Sequence, residues 1–356
     1  MIYEPKCKID IEIAADSQIS AVDFENIEFG KIFTDHLFEC DFKNGAWQTP
    51  KIRPYGPISL DPGARVFHYG QAVFEGMKAY KDDDGGVWLF RPEENFKRIN
   101  KSAKRLAIPE FPENYFFEGM KTLIQMDSSW VKSGLDNSLY IRPYVIATEA
   151  AIAAAPSKEY KFVIMCSPAK AYYKGKVKVV FAEQYSRAAD GGVGFAKAAG
   201  NYAAQFYPTN LANEKGFQQI IWTDANTHEY LEEAGTMNIF FRIGDRLLTA
   251  PTNDRILDGV TRKSIIQLAE DFGIPCEVRP VTVKEIKDAA RTGELKEIFG
   301  AGTAAVVSPI SAFEHKGELF ELEDLPGSFA DKFKNRLVSI QHNAADDEHG
   351  WRYRIK

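Results

Sequence analysis

Cysteine and histidine are scarce in this chain, and the few present are scattered. Four cysteines, Cys7, Cys40, Cys166 and Cys276, occur in 356 residues without a C-x-x-C pair, which leaves neither a zinc knuckle nor a dithiol switch to build. Buried thiols are the expectation for them. The six histidines never fall at the i, i+4 spacing that would aim two imidazoles at one ion, so no metal is expected. Positive charge is not in excess either. The 44 Lys and Arg against 50 Asp and Glu leave a net charge of -6, whereas a nucleic-acid surface rests on clustered cations. No run stays apolar over the roughly 20 residues that a bilayer crossing needs, and no secretory signal pattern is found. The expectation is a cytoplasmic protein with neither nucleic acid nor membrane as partner.

What the chain does have is core. With 356 residues, 45% of them hydrophobic, it can bury a large interior and is expected to form two domains. Helical and strand patterns alternate without an internal repeat, the organisation of a mixed α/β enzyme. Pro92 opens a helix in which Phe96, Ile99, Ala103 and Leu106 recur on one face, and Pro109 ends it. A second helix is expected from about 113 to 133, with Phe116, Met120 and Leu123 on its buried stripe. Strands follow at 138–147 and 161–166. The segment Ser167 to Gly175, with Pro168, then interrupts the periodicity. That interruption sets a smaller N-terminal domain at 1–170, a connection at 171–176 and a larger C-terminal domain at 177–356. Strands are expected in the latter at 177–182, 219–223, 237–242 and 246–250. A helix from about Thr261 is capped by Gly273, and Thr282 with Glu285 makes a T-x-x-E capping box. A helix from about Ser328 to His342 and a final strand, from the alternation of Trp351, Tyr353 and Ile355, complete the reading.

The stretch Gly191 to Phe206, GGVGFAKAAGNYAAQF, sets one lysine, Lys197, among glycines and alanines. A phosphate loop would need a Gly-Lys-Ser/Thr triplet, but Ala196 and Ala198 flank this lysine. A Schiff-base lysine, partly desolvated so that its amine attacks an aldehyde, fits better; a solvated loop lysine is the plain alternative. Four further features match what pyridoxal phosphate requires: an anion at the ring nitrogen, and donors and cations around the phosphate. Glu232 and Glu233 stand just before Ala234-Gly235-Thr236-Met237-Asn238, although paired glutamates are ordinarily solvated. The run Leu257 to Arg262 leads into a helix whose first N–H groups make an anion site. Gly300 to Ala304 is a small-residue turn with a hydroxyl, and by this division it shares a domain with Lys197. Arg98 on the polar face of the Pro92 helix matches phosphate geometry, or is a surface charge.

Nearly the whole chain resembles the branched-chain amino acid aminotransferases, pyridoxal-phosphate enzymes of fold-type IV. The resemblance rests on FTDH at Phe33 to His36, HYGQAVFEGMKAY at His68 to Tyr80, LFRPEENFKR at Leu89 to Arg98 and SLYIRP at Ser138 to Pro143, followed by KAAGNY, EAGTMN, DGVTR and FGAGTAAVVSP in the family's order. It implies an α/β, or α+β, two-domain fold whose C-terminal domain is a mixed-sheet pseudo-barrel, and a homodimer. It implies that Lys197 carries the cofactor and later moves the substrate proton. It further implies that Tyr202 bonds the cofactor's 3-hydroxyl, that Glu233 pairs with the ring nitrogen, and that Arg98, Val260, Thr261 and Thr303 hold the phosphate with Arg187 nearby. Thr236 and the backbone around Ala304 would receive the substrate carboxylate. Phe29, Tyr69, Phe74 and Tyr140 would wall the side-chain pocket, and Arg142 would take the distal carboxylate of glutamate.

The implied reaction is reversible transfer of the amino group of L-leucine, L-isoleucine or L-valine to 2-oxoglutarate. Apolar walls discriminate poorly between methyl arrangements, so all three amino acids are expected as substrates. Two departures from the family stand out. Some members carry Cys-x-x-Cys after the Gly-Thr turn where this chain has Ala305 and Ser308, so no thiol switch is expected there. The Ala-rich stretch Ala151 to Ala155 replaces bulkier residues in a loop that the resemblance sets near the active site.

Overall fold

The computed structural model describes residues 7–170 and 175–356. Residues 171–174, most of the expected connection at 171–176, lie outside the described residues. Two compact units result. One takes the described part of Met1–Tyr172 with Ala196–Ala199 and Ser339–Lys356, and the other takes that of Tyr173–Phe195 with Gly200–Val338.

The first unit is built on a ten-stranded sheet. Its centre is the antiparallel pair Ser138–Ala147 and Tyr160–Ala169, in register along ten residue pairs. The first of these strands is the one expected; the second continues past Cys166, so Ser167 and Pro168 lie in the sheet opposite Tyr140 and Leu139. Proline removes only its own donor from a ladder, and the periodicity break at Pro168 is not a strand end. The helices Pro92–Arg105 and Glu113–Met126 bring Ile99, Ala103, Phe116, Met120 and Leu123 into the buried core, the residues their spacing selects. Phe111 stacks on Phe162 with ring centroids 3.7 Å apart. The second helix stops at Met126, short of the expected end near 133. Asp127 leaves the helical path to meet His36, with Oδ1 2.6 Å from Nδ1 and Oδ2 accepting the His36 N–H at 3.1 Å.

Two segments remote in sequence also belong to this unit. The strand Arg352–Arg354 pairs antiparallel with Val87–Phe90, so Ser339–Lys356 counts here and not with the C-terminal domain in which the sequence boundary puts it. Ala198 forms an antiparallel bridge with Val73, so Lys197 counts with this unit, whereas the 257–262 and 300–304 turns count with the other.

The second unit is a barrel. Val177–Phe181, Gln219–Thr223, Tyr230–Ala234, Asn238–Ile243, Leu295–Gly302 and Val306–His315 pair in a closed ring, since Tyr230–Ala234 bonds both Gln219–Thr223 and Asn238–Ile243. Closure leaves these strands without a free edge and encloses alternate side chains, among them Val179, Phe181, Ile221, Phe241, Ile298 and Phe313. The helix Val260–Asp271 buries Ile265 and Leu268 as expected. Gly273, at φ +65°, ends it in a left-handed turn with Ile274 N–H donating to the Ala269 carbonyl at 2.8 Å. Thr282 Oγ1 accepts the Glu285 N–H at 3.0 Å, as the capping pattern requires. Among the described residues no helix is long and apolar enough to cross a membrane.

One close approach in the first unit tests this packing. A Cβ on Gly119 would stand 2.3 Å from the Phe38 ring, and Phe38 is wholly buried. Gly119→Ala is expected to destabilise the fold by about 1–3 kcal/mol, read as a lower urea midpoint; an unchanged midpoint would mean the helix can ride up without loss.

Candidate active site

In the first unit, the catalytic-lysine candidate is held by backbone. Phe74 N–H donates to the Lys197 carbonyl and Ala199 N–H to the Ala72 carbonyl, both at 3.0 Å. Ser102 Oγ receives the Lys197 N–H at 3.0 Å. The small flanking residues make this possible: Ala196 and Ala198 are buried against the strand Ala72–Phe74, where larger side chains would hold the backbones apart. Lys197 itself stays partly accessible, its Nζ 4.8 Å from the centroid of the Phe74 ring.

Arg98 is no surface charge. Its side chain is 10% exposed, and it meets Glu75 with Nε on Oε1 at 2.6 Å and Nη2 on Oε2 at 2.9 Å. Sequence reasoning missed Glu75; the signal was a lone acid inside the apolar run of VFEGM. Beside it, Arg142 lies over the rings of Phe74 and Tyr140 at 4.6 and 5.3 Å, and its Nη2 donates to the Tyr140 hydroxyl at 3.1 Å. Phe29 meets Tyr140 edge-on at 5.0 Å. A Cβ on Gly76 would fall 2.1 Å from the Tyr140 hydroxyl, so only glycine leaves that hydroxyl its place. The structure thus gathers Phe29, Phe74, Tyr140 and Arg142. Tyr69 is instead 47% exposed, its hydroxyl donating to the Ile152 carbonyl in the Ala-rich loop.

In the second unit, the glutamate pair is buried, not solvated. Glu232 and Glu233 sit on Tyr230–Ala234 at 4% and 5% exposure, each matched by an arginine. Arg187 Nη2 lies 2.6 Å from Glu233 Oε1, and Arg255 bonds Glu232 and Asp190. Leu257 N–H and Asn238 Nδ2 add donors to Glu233 at 3.2 and 3.1 Å. Arg187 therefore stands on the carboxylate. Its Nε is buried without a hydrogen-bond partner among the described residues.

The helix Val260–Asp271 begins at Gly259 with no side-chain cap and no acid in its first turn, while Val260 and Thr261 are buried. Buried first-turn N–H groups need acceptors, and with the helix dipole they suit an anion. A Cβ on Gly259 would lie 1.9 Å from Asn238 Oδ1, and one on Gly302 2.9 Å from the Thr236 carbonyl. These glycines let the helix start and the strand Leu295–Gly302 close on the Thr236 to Asn238 corner. The turn at 303–305 ends in Val306 at φ +58°, a left-handed conformation that costs a β-branched residue about 1–3 kcal/mol. Thr303 and Ala304 are half-buried and Thr236 is exposed.

Residues 72–313 match the family model of amino-transferase class IV. A probable branched-chain-amino-acid aminotransferase of Staphylococcus epidermidis is 45% identical over 339 residues, 94% of each chain. Branched-chain-amino-acid aminotransferase 2 of Bacillus subtilis is 42% identical over 334 residues, 92% of each chain. The chain belongs to the branched-chain aminotransferase family of class IV.

In fold, this family member is similar to the holo, pyridoxal-phosphate form of the branched-chain amino acid aminotransferase from Thermobaculum terrenum. The TM-score is 0.71 at 18% identity, over 90% of this chain and 98% of that one. The closed barrel and mixed α/β content are those of fold-type IV. Class IV aminotransferases use pyridoxal phosphate, and the residues present fit that group. Within the first unit Lys197 offers an amine of the kind its aldehyde needs; within the second, taken by itself, the buried helix start without a side-chain cap suits a phosphate and the buried Glu233 carboxylate suits a protonated ring nitrogen. Gly259→Ala is expected to weaken pyridoxal phosphate binding about tenfold or more, the size of one lost charge-assisted hydrogen bond. Cofactor titration of the folded variant checks it, and wild-type affinity would remove the helix start from the phosphate site.

Proposed function

We propose that this aminotransferase moves the amino group of L-leucine, L-isoleucine or L-valine to 2-oxoglutarate, giving the branched 2-oxo acid and L-glutamate, with pyridoxal phosphate as its cofactor. The observation that carries the substrate class is Arg142 held over the rings of Phe74 and Tyr140. An apolar wall rewards a branched side chain, and one guanidinium at its edge answers the distal carboxylate of glutamate. Both halves of the exchange need one site that tolerates each. The relatives named for branched-chain amino acids support the same reading.

When bound, the cofactor supplies an electron sink that makes the α-proton of an amino acid removable. The chain's own residues do the rest. Lys197 would hold the cofactor through its Nζ and, as a general base and acid, would carry the α-proton of the substrate. Glu233 would favour a proton on the ring nitrogen, and Tyr202 would bond the 3-hydroxyl. Arg98, Thr303 and the N–H groups of Val260 and Thr261 hold the phosphate, with Arg187 balancing Glu233. Thr236 and the backbone at Ala304 orient the substrate carboxylate. Phe29, edge-on to Tyr140, extends the apolar wall, and Arg142 answers the distal carboxylate of glutamate.

The enzyme works as a cytoplasmic homodimer in this reading. Four free thiols suit a reducing compartment. Phe67, Tyr69 and Ile152 are 62%, 47% and 74% exposed, an apolar group that a second copy would cover. Addition of L-leucine to the protein with its cofactor is expected to abolish the visible band and 2-oxoglutarate to restore it, while Lys197→Ala shows neither change. A band that ignores leucine but responds to D-alanine would overturn the substrate class. Arg142→Ala is expected to slow the glutamate half-reaction roughly 10- to 100-fold while sparing the leucine half. Equal losses in both halves would leave Arg142 a packing residue.

A further inference from the structure

The strand Ala72–Phe74 bears Lys197 on its backbone, and the next residue is a carboxylate that reaches Arg98. Glu75 is 0% exposed, and a buried carboxylate left without partners is among the more expensive groups in a fold. Each oxygen is supplied. Beyond the two Arg98 contacts, Asn95 Nδ2 and the Gly76 N–H donate to Oε2 at 2.8 and 3.1 Å. Burial alone would raise the Glu75 carboxyl, but the charge and hydrogen bonds of Arg98 and the charge of Lys197 hold it below its ordinary value.

Stability alone does not call for this arrangement. Well-packed apolar side chains in place of a buried ion pair are often neutral or stabilising, and the surrounding strands supply an apolar core. What the pair provides is geometry. A guanidinium on three methylenes is flexible, and here two of its nitrogens are fixed to both oxygens of one carboxylate. The carboxylate in turn is one residue from Phe74, whose N–H holds the Lys197 carbonyl.

We infer that Glu75 is a positioning residue, which holds the Arg98 guanidinium in the orientation that receives the cofactor phosphate and places a negative charge next in sequence to Phe74, whose N–H fixes the Lys197 backbone. The inference rests on the roles given to Lys197 and Arg98 under the proposed function. The charged groups facing Glu75 among the described residues are Arg98, from the Pro92–Arg105 helix, and Lys197; Arg142 lies over the neighbouring Phe74 ring.

Glu75→Gln keeps the volume and removes the charge, whereas Glu75→Asp keeps the charge and shortens the reach. Both are purified and titrated with pyridoxal phosphate, and the pH midpoint of the visible band and the melting temperature are recorded beside wild type. Glu75→Gln is expected to bind the cofactor about tenfold or more weakly. Its band midpoint is expected to fall below the wild-type one, because the positive charge of Arg98 then loses its compensating carboxylate. Glu75→Asp is expected to lose affinity with its midpoint near wild type. A folded Glu75→Gln protein with wild-type affinity and midpoint overturns the inference, as does a lower melting temperature with both unmoved, which marks a purely structural role. Should Glu75→Gln fail to fold, unchanged cofactor affinity in Glu75→Asp overturns it. Wild-type protein without a visible band would overturn the proposed function itself, and this inference with it.

Discussion

Backbone pairing between the segment around Lys197 and the strand Ala72–Phe74 is the constraint on which the chemistry of the first unit hangs. A lysine side chain has four rotatable bonds and cannot be placed from its own end; it is placed from its Cα. Here two carbonyls and two N–H groups, from Ala72, Phe74, Lys197 and Ala199, fix that Cα to a strand that is itself tied to Ser138–Ala147. The same strand carries Phe74 toward Arg142 and ends beside Glu75. Lysine, aromatic wall and arginine clamp thus share one rigid reference, and sites built on strands hold their geometry better than sites built on loops.

The second unit meets a different demand, that of burying carboxylates and a helix start around a closed barrel. The strands of the ring spend their N–H groups on one another, so free donors are left to turns and helix starts. Gly259 and Gly302 let a helix start and a strand end close on the Thr236 to Asn238 corner, where a single methyl group would meet the Asn238 side chain or the Thr236 carbonyl. Glu232 and Glu233 answer the burial problem in the usual way, with an arginine for each carboxylate. The strained backbone at Val306 sits at the end of the turn that carries Thr303 and Ala304, in keeping with the tendency of strain to collect where function overrides local preference.

Much of this was legible from sequence, and the failures have physical causes. Ser138–Ala147 and the two helices that follow Leu89 are strong periodic signals, and local chemistry fixed the caps at Gly273 and Thr282. Lys197 stood out because its neighbours are too small to be anything but close packing. Hidden from sequence were features decided by partners far along the chain. Glu75 looks like a misplaced acid until Arg98 is set against it, and Glu232 and Glu233 look solvated until Arg255 and Arg187 arrive. Pro168 reads as a break because nothing local says that its missing donor is unneeded. The helix end at Met126 depends on His36, some ninety residues earlier, and the assignment of Lys197 to the first unit depends on Val73.

The pairing of Arg352–Arg354 with Val87–Phe90 carries a consequence for biosynthesis. The first sheet acquires that strand only after the ribosome has made the whole of the second unit, so the Val87–Phe90 edge stands open throughout that interval. Trp88 and Leu89 lie on it, and an unpaired apolar edge is a template for wrong partners. Domains ordinarily fold in the order in which they emerge, but this one starts first and finishes last. A stalled or truncated chain therefore presents a nearly complete sheet with one exposed flank, the form of the molecule with the greatest need of a chaperone.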